Sequence, residues 1–173
     1  MSRGTDDDLH AMVSSIVDEL EAAVSGSLYE VDEDYVVIDD LDEWKQEKYE
    51  KMTEEFRKEH PEDSFDPEES GFDTYVEWME DELGVADDVD EPEKASLYEY
   101  ISERSLGDMR FEVDSSKTLI GGKVLFCYGG PNIWVADDEV RGYWGSSTVE
   151  MPLDSDTRSE LWDWFENQWE AIK

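Results

Sequence analysis

Carboxylates are the side chains of this chain best placed to do chemistry, and they are concentrated in one stretch. The 173 residues include 49 Asp and Glu against 14 Lys and Arg, a formal net charge of −35. The 62 residues from Glu30 to Glu91 hold 27 acids and 5 bases, a net charge of −22. Carboxylates at this density could bind metal ions, transfer protons or present an anionic surface to a basic partner. Because like charges repel and oppose compaction, such a stretch serves either binding or solubility.

The acids on two predicted helices recur at intervals that could, with the helices side by side, imitate the charge of DNA. B-form DNA carries about one negative charge per 1.7 Å of its axis. A helix rises about 1.5 Å per residue, so carboxylates every three or four residues on an exposed face lie about 5 Å apart. Two or three such helices side by side would offer a phosphate-like lattice to a basic groove, although each helix alone could equally be a solvated face. The predicted contact surface comprises Asp39, Asp40, Asp42, Glu43, Glu47, Glu50, Glu54, Glu55, Asp73, Glu77, Glu80, Asp81, Glu82, Asp87 and Asp88.

A dedicated metal site has little support in the sequence. The acids that begin at Asp32 have a carboxylate at the twelfth position of an EF-hand count, Glu43, but the sixth position is Val37. The calcium loop needs glycine at that position for its sharp turn. We therefore predict no metal and no cofactor.

Nucleophilic and phosphate-transfer chemistry find equally little support. Cys127 lies in an apolar run, and the chain offers only His10 and His60 as bases, so we predict a buried structural thiol. The segment 129–132 (Gly-Gly-Pro-Asn) lacks the Lys-Ser/Thr of a P-loop and reads as a tight turn. Carboxylate pairs of the glycosidase type abound, but nothing marks out any two. We therefore expect no enzymatic activity.

Aromatic residues supply a second kind of candidate contact. Trp134, Tyr143 and Trp144 could stack a base or a sugar, but a chain this negative disfavours nucleic acid, so core packing or a partner contact is expected. The C-terminal helix holds more aromatic surface than one small helix usually buries. An aromatic contact or homodimer face is therefore predicted at Trp162, Trp164 and Trp169.

Hydrophobic periodicity predicts helices and a hairpin in residues 1–91. Asp6 to Asp8 would cap a first helix that Gly26 ends, and short strands at 28–31 and 35–38 flank an acidic turn that lacks the Asn-Gly or Asp-Gly signal. A second helix is predicted from Asp39 or Asp40 to Glu59, then a polar loop at 61–71. A third helix would turn Phe72, Tyr75, Val76, Met79 and Leu83 inward and end at Gly84.

After a linker at 87–92 the hydrophobic pattern changes from mainly helical to mixed helix and strand. A short helix near Leu97 is followed by four predicted antiparallel strands at 109–113, 123–128, 133–136 and 140–144, with turns at 121–122, 129–132 and 137–139. A final helix begins near Asp154 and would place Leu161, Phe165, Trp169 and Ile172 together. The fold class is therefore α+β, with an acidic, mainly helical region at 1–91 and an α+β domain at 92–173.

Two motifs of the C-terminal half carry a resemblance. They are Gly129-Gly130-Pro131-Asn132-Ile133-Trp134-Val135 and Arg141-Gly142-Tyr143-Trp144-Gly145. With them, residues 96–172 resemble a small uncharacterised domain carried by plasmids, phages and conjugative elements of Gram-positive gut bacteria. The resemblance implies no catalytic residues, but it implies the company of mobile elements, which carry proteins that disarm host restriction and CRISPR systems. The acidic first half resembles such antirestriction and anti-CRISPR proteins in composition.

The composition and net charge of the chain indicate its compartment and the kind of partner it binds. No run of about 20 apolar residues exists for a membrane span, the N-terminus has the wrong charge for a signal peptide, and one cysteine fits a reducing cytoplasm. So negative a protein should avoid nucleic acid and membrane and bind a basic nucleic-acid-binding protein.

We expect a DNA mimic that inhibits a CRISPR effector or restriction enzyme. The alternative is a halophilic binding or regulatory domain whose acids serve solubility, although the concentration of charge counts against it. An unrecognised hydrolase is a third, weaker interpretation.

Overall fold

The computed structural model describes residues 3–173 and has the α+β architecture that the sequence predicts. Met1 and Ser2, at the start of the segment judged unlike a signal peptide, lie outside the described residues. The helices are α1 (Arg3–Ser25), α2 (Leu41–Glu59), α3 (Pro67–Ser70), α4 (Tyr75–Leu83), α5 (Leu97–Arg104) and α6 (Ser155–Ile172). The strands are β1 (Leu28–Val31), β2 (Asp34–Val37), β3 (Glu93–Lys94), β4 (Met109–Val113), β5 (Leu119–Cys127), β6 (Asn132–Ala136), β7 (Glu139–Trp144) and β8 (Ser147–Pro152).

The chain folds as two compact units whose boundaries differ from the predicted 1–91 and 92–173. The sheet unit comprises the chain up to Val37 together with Glu93–Lys173, and the acidic insert is Ile38–Pro92. The predicted boundary after residue 91 marks one end of the insert, but α1 and the β1–β2 hairpin belong with the C-terminal half. The charge density changes at residue 91, whereas the apolar stripe of α1 is buried in a core that the later strands complete.

The sheet unit is built on a five-stranded antiparallel sheet in the order β4-β5-β6-β7-β8. Helices α1 and α6 cover one face of it: a Cβ added at Gly142 would lie 2.7 Å from Val13 Cγ2, and one added at Gly122 would lie 2.6 Å from the Phe165 ring. The sequence predicted four strands and missed β8. Its side chains alternate between half-buried and exposed, so it has no buried apolar row to mark it.

Glycines 121 and 122 were predicted to form a turn, but they lie inside β5. Here the glycine is needed for packing, because the missing side chain of Gly122 lets the Phe165 ring of α6 approach the strand. Close backbone approach and turn formation both select glycine, and the sequence alone cannot separate them.

A second sheet has the order β2-β1-β3. Its hairpin is predicted correctly as two strands, and the turn is formed by Asp32 at φ 52° and Glu33 at φ 70°. Positive φ at both central residues is what a type I′ turn requires, and Asn-Gly or Asp-Gly usually supplies it. Two acidic residues adopt that conformation here, so the usual signal is missing. Strand β3 lies in the stretch next to the predicted linker and pairs with β1.

Several predicted helix ends are confirmed. Gly26 follows α1 at φ 81°, and α6 begins after Asp154, whose carboxylate accepts the Thr157 N–H at 2.7 Å. That hydrogen bond lowers the pKa of Asp154. Asp6 to Asp8 lie within α1 rather than at its cap, because the helix begins at Arg3. At the other end of the chain, Ile172 is 65% exposed rather than packed beside Trp169.

The acidic insert consists of α2, α3 and α4 with single 3-10 turns between and after them. The predicted polar loop at 61–71 contains one such turn and the one-turn α3. Helix α4 ends at Gly84 as predicted, but Val76 is 51% exposed instead of facing inward.

Candidate protein-interaction surface

A small aromatic core fixes the helices of the insert. Phe56 of α2 packs with Tyr75 and Met79 of α4, and all three are buried. The Trp78 ring lies 5.1 Å from the Phe56 ring and stacks on Phe65 at 5.7 Å. The Tyr75 hydroxyl donates to the His60 carbonyl at 2.6 Å, which ties α4 to the end of α2. This core fixes which faces of α2 and α4 are turned inward.

Side-chain caps begin the helices of the insert. Asp40 Oδ1 accepts the N–H of Asp42 at 3.0 Å and of Glu43 at 3.1 Å, and Thr74 Oγ1 accepts the N–H of Glu77 at 3.2 Å. Asp88 Oδ2 accepts the Val85 N–H at 3.1 Å. Two of the predicted contact acids, Asp40 and Asp88, therefore also hold the fold.

Helix α2 carries one continuous acidic row on the side away from Phe56. Each residue turns a helix by about 100°, so four of its glutamates fall within an arc of about 60°. The row extends along about 16 Å of axis with a mean spacing of about 5.5 Å. We call this set the α2 row: Glu43, Glu47, Glu50 and Glu54, all exposed.

Helix α4 carries a shorter row. Glu77 and Asp81 are exposed and lie one turn apart, on the side of the helix away from Met79. We call this pair the α4 row. The exposed Glu80 and Glu82 lie to either side of it. Since the α2 and α4 rows both point away from the core that joins their helices, the insert presents two acidic rows rather than the single lattice that the sequence suggested.

The other predicted contact residues are exposed but lie off these rows. Glu55 is about 100° around α2 from Glu54, on the flank of the helix. The remaining exposed acids lie at helix starts and in connecting segments; they are Asp39, Asp40, Asp42, Asp73, Asp87 and Asp88. The structure thus exposes every predicted carboxylate but aligns only some of them.

Basic residues of the insert offset few of these charges. Lys58 Nζ lies 3.0 Å from Glu54, and both side chains are about two-thirds exposed, so this pair contributes little. Lys45 Nζ lies 2.9 Å from Glu91, and that hydrogen bond raises the pKa of Lys45. With 23 acids and 5 bases, the insert carries a net charge of −18.

The predicted aromatic contact on α6 needs a correction. Trp164 is only 3% exposed and lies in the core of the sheet unit, so it is not available to a partner. Trp162 and Trp169 are half-buried and pack against the same core, with the Trp169 ring 5.5 Å from Phe111. The aromatic surplus of α6 is absorbed mainly by the five-stranded sheet that the helix covers.

On the other face of that sheet lies Trp134, which the sequence singled out as able to stack a base or a sugar, but the cations around it were missed. Trp134 of β6 is surrounded by Arg110 of β4, Lys123 of β5 and Arg141 of β7. Side chains alternate between the two faces of a sheet, and this alternation along each predicted strand is the signal that could have placed these residues on one face. In the structure Arg110 pairs with Lys123, and Trp134 pairs with Arg141.

Evidence for other chemistry is sparse. Within residues 3–173, no three His, Cys, Asp or Glu side chains are grouped so that they could hold a metal ion. Cys127 is half-buried rather than buried as predicted, and it lines a groove with Met12 and Ile16. None of the helices in the described part of the chain combines the length and apolar character needed to cross a membrane.

Comparisons of the chain with protein-family models, with curated proteins and with solved structures give no significant match. The resemblance of residues 96–172 to a domain of mobile elements therefore stays a prediction, as does the compositional likeness to antirestriction and anti-CRISPR proteins.

Proposed function

We propose that this protein is a non-enzymatic inhibitor that occupies the basic nucleic-acid-binding groove of a bacterial defence nuclease in the host cytoplasm. The target would be a CRISPR effector or a restriction enzyme, with the acidic insert as a DNA mimic. The observation that carries the proposal is the insert itself, which places a net charge of −18 in 55 residues and exposes every predicted contact acid.

The α2 row is the strongest part of the mimic. Its carboxylates are spaced about 5.5 Å apart, which is the same order as the roughly 3.4 Å of axis per phosphate in one DNA strand. The α4 row would contact a second wall of the groove, because it points away from the same core. A groove that has bound counterions would release them on binding, so affinity should fall steeply as salt rises.

The test is a capture experiment with the tagged full-length chain and purified CRISPR effectors and restriction enzymes, followed by nuclease assays. The test variant carries Glu43→Gln, Glu47→Gln, Glu50→Gln, Glu77→Gln and Asp81→Asn. These acids avoid the capping residues Asp40 and Asp88, and glutamine at position 50 can still accept the hydrogen bond from Gln46. The fold should therefore survive, which circular dichroism checks.

A control variant changes the charge by the same amount in the sheet unit. It carries Asp8→Asn, Asp18→Asn, Glu160→Gln, Asp163→Asn and Glu166→Gln, all at exposed positions. We expect the wild type and the control to inhibit a nuclease at low salt and to be displaced by DNA. The insert variant should lose inhibition at least about tenfold, because it lacks five of the charges that would contact the basic groove. Equal loss of inhibition in both variants would show that overall charge, not the insert, is responsible, and unchanged inhibition in both would show that these acids do not contact the nuclease.

A halophilic-type binding or regulatory domain remains the second candidate, because the sheet unit is also acidic, with a net charge of −17. The Debye length falls from about 10 Å at 0.1 M salt to about 3 Å at 1 M, so screening stabilises a protein held apart by its own charge. A halophilic domain should unfold at low salt. The proposed mimic should stay folded there, as thermal melts in rising KCl would show, and lose only its partner as salt increases.

A further inference from the structure

The outer face of the five-stranded sheet holds an aromatic residue flanked by cations. Trp134 and Arg141 are paired across β6 and β7, and Arg110 and Lys123 are paired across β4 and β5. Side chains alternate between the two faces of a sheet, and their neighbours Val135, Val140 and Val124 are fully buried. Trp134, Lys123 and the two arginines therefore face away from the side that α1 and α6 cover.

The cations are directed at the indole. Arg110 Cζ lies 4.6 Å and Lys123 Nζ 5.4 Å from the centre of the Trp134 ring, within cation–π range. Arg141 Nη1 donates to the hydroxyl of Tyr143, two residues along β7, at 3.4 Å. These groups line a cavity of about 380 Å³, a size that suits a small molecule.

The three cations differ in whether a carboxylate of the protein pairs with them. Arg141 is paired with Glu139 and with Glu150, and Arg110 lies 3.6 Å from Asp108. No carboxylate oxygen in the described part of the chain comes within 4.0 Å of Lys123 Nζ. Lys123, which contacts the Trp134 ring, is thus the cation of this cavity whose charge is not already paired with a carboxylate.

The same cavity contains hydrogen-bond acceptors at its rim. Glu112, Asp137 and Asp138 contribute to its lining, and Asp137 Oδ1 already accepts the Gly122 N–H at 3.2 Å. A ligand that satisfies this set carries a planar ring for Trp134, donor groups for the carboxylates and one compact anionic group for Lys123. A ring-bearing phosphate with donor groups meets all three requirements, whereas a bare anion would meet only the last.

We propose that this cavity binds a nucleoside monophosphate. The base of the nucleotide would stack on Trp134 beside Arg110, and its phosphate would bind Lys123. Outward-facing aromatics on an antiparallel sheet are a general means of stacking bases. The net charge of −35 restricts the ligand to a single nucleotide, because a polymer would bring many phosphates against the rest of the surface. The site lies in the sheet unit and is independent of the proposed function of the insert.

The test is a titration of the full-length protein with each of the four common ribonucleoside monophosphates. Two-dimensional NMR follows the Trp134 indole N–H, and calorimetry gives the affinity. Trp134→Leu and Lys123→Met are the test variants. Lys94→Met is the matched control, because Lys94 also lies over an aromatic ring in this unit, 5.7 Å from the centre of Tyr29.

We expect at least one monophosphate to shift the Trp134 signal. Trp134→Leu should weaken its binding roughly 5- to 150-fold, the range of a lost stacking contact. Lys123→Met should weaken the monophosphate but not the matching nucleoside, and it keeps the proposal testable if Trp134→Leu fails to fold. Lys94→Met should bind like the wild type.

Three results would overturn the proposal. One is an unmoved Trp134 signal at millimolar concentrations of all four nucleotides. Another is equal binding of inorganic phosphate, which would make the cavity a simple anion site. The third is tighter binding of a single-stranded oligonucleotide than of any monophosphate.

Discussion

The sheet unit has a large buried apolar core and a lower density of charge, whereas the acidic insert has a small core and a higher density of charge. The sheet unit buries a continuous core that runs from Leu9 on α1 to Phe165 on α6, whereas the core cluster of the insert has three buried residues, Phe56, Tyr75 and Met79. Yet the insert carries slightly more than half of the net charge of the chain in less than a third of its length. Stability in the first unit comes from burial, and in the second it depends on a few aromatic contacts that oppose strong repulsion.

This difference teaches how a chain can hold a dense anionic surface in place. Placing the acids in an insert leaves the large core of the sheet unit to fold around fewer like charges. In the insert, the side-chain oxygens of Asp40 and Thr74 fix the starts of α2 and α4, so the two acidic rows have defined directions despite the small core. Such a region should nevertheless open more readily than the sheet.

Removing the centre of the small core should have the largest effect. Phe→Ala changes in cores cost about 3–5 kcal/mol, and at about 0.05–0.15 kcal/mol per residue a 55-residue unit has little more to lose. Phe56→Ala should therefore abolish hydrogen-exchange protection in α2 and α4 while that of β4–β8 persists. Val76→Ala, at a 51% exposed position of α4, is the control and should change little. Equal loss of protection in the sheet would mean that the two units unfold as one.

Close packing in the sheet unit can be tested at two adjacent glycines. A Cβ at residue 122 would lie 2.6 Å from the Phe165 ring, so Gly122→Ala should reduce the free energy of unfolding by about 1–3 kcal/mol. At residue 121, on the opposite face of β5, the nearest atoms lie at 3.6 Å, and Gly121→Ala should be neutral or slightly stabilising. Urea unfolding followed by tryptophan fluorescence measures both. Similar losses for the two variants would contradict the close approach of α6.

The smallest expected effect concerns a single carboxylate with a structural role. Asp154→Ala removes the cap of α6 and should cost about 1 kcal/mol at pH 7. Because the folded pKa of Asp154 is lowered, its stabilisation is present above its ordinary value of 3.8 and is lost as pH falls through the lower folded value. The difference between Asp154→Ala and wild type should therefore shrink below pH 3.8.

Two further variants sharpen this prediction. Asp154→Asn should keep most of the cap without the pH dependence, since asparagine caps helices about as well. Glu47→Gln, in the α2 row, should change stability by less than about 0.5 kcal/mol. Unfolding curves at several pH values measure all of these, and a constant Asp154→Ala effect down to low pH would show that the charge of Asp154 does not contribute.

Some elements could be predicted because their causes are local. The helix stops at Gly26 and Gly84 and the cap at Asp154 depend on neighbouring residues only, and all three are confirmed. The hairpin turn at Asp32 and Glu33 and the strand β8 lack a local signal, so their form could not be read from the pattern. For the candidate surface, exposure of the acids could be predicted from their charge, but their division into two rows could not.

The sequence by itself determined the α+β class, the concentration of negative charge and the residues that carry it, because composition and short-range periodicity are properties of the linear chain. Only the tertiary structure decided that the acidic stretch is an insert, since α1 joins a core made by strands more than a hundred residues later. It also decided that Trp164 is buried while Trp134 faces outward beside Arg110 and Lys123. Each of these outcomes depends on which face of an element meets a distant partner, and that is settled by packing.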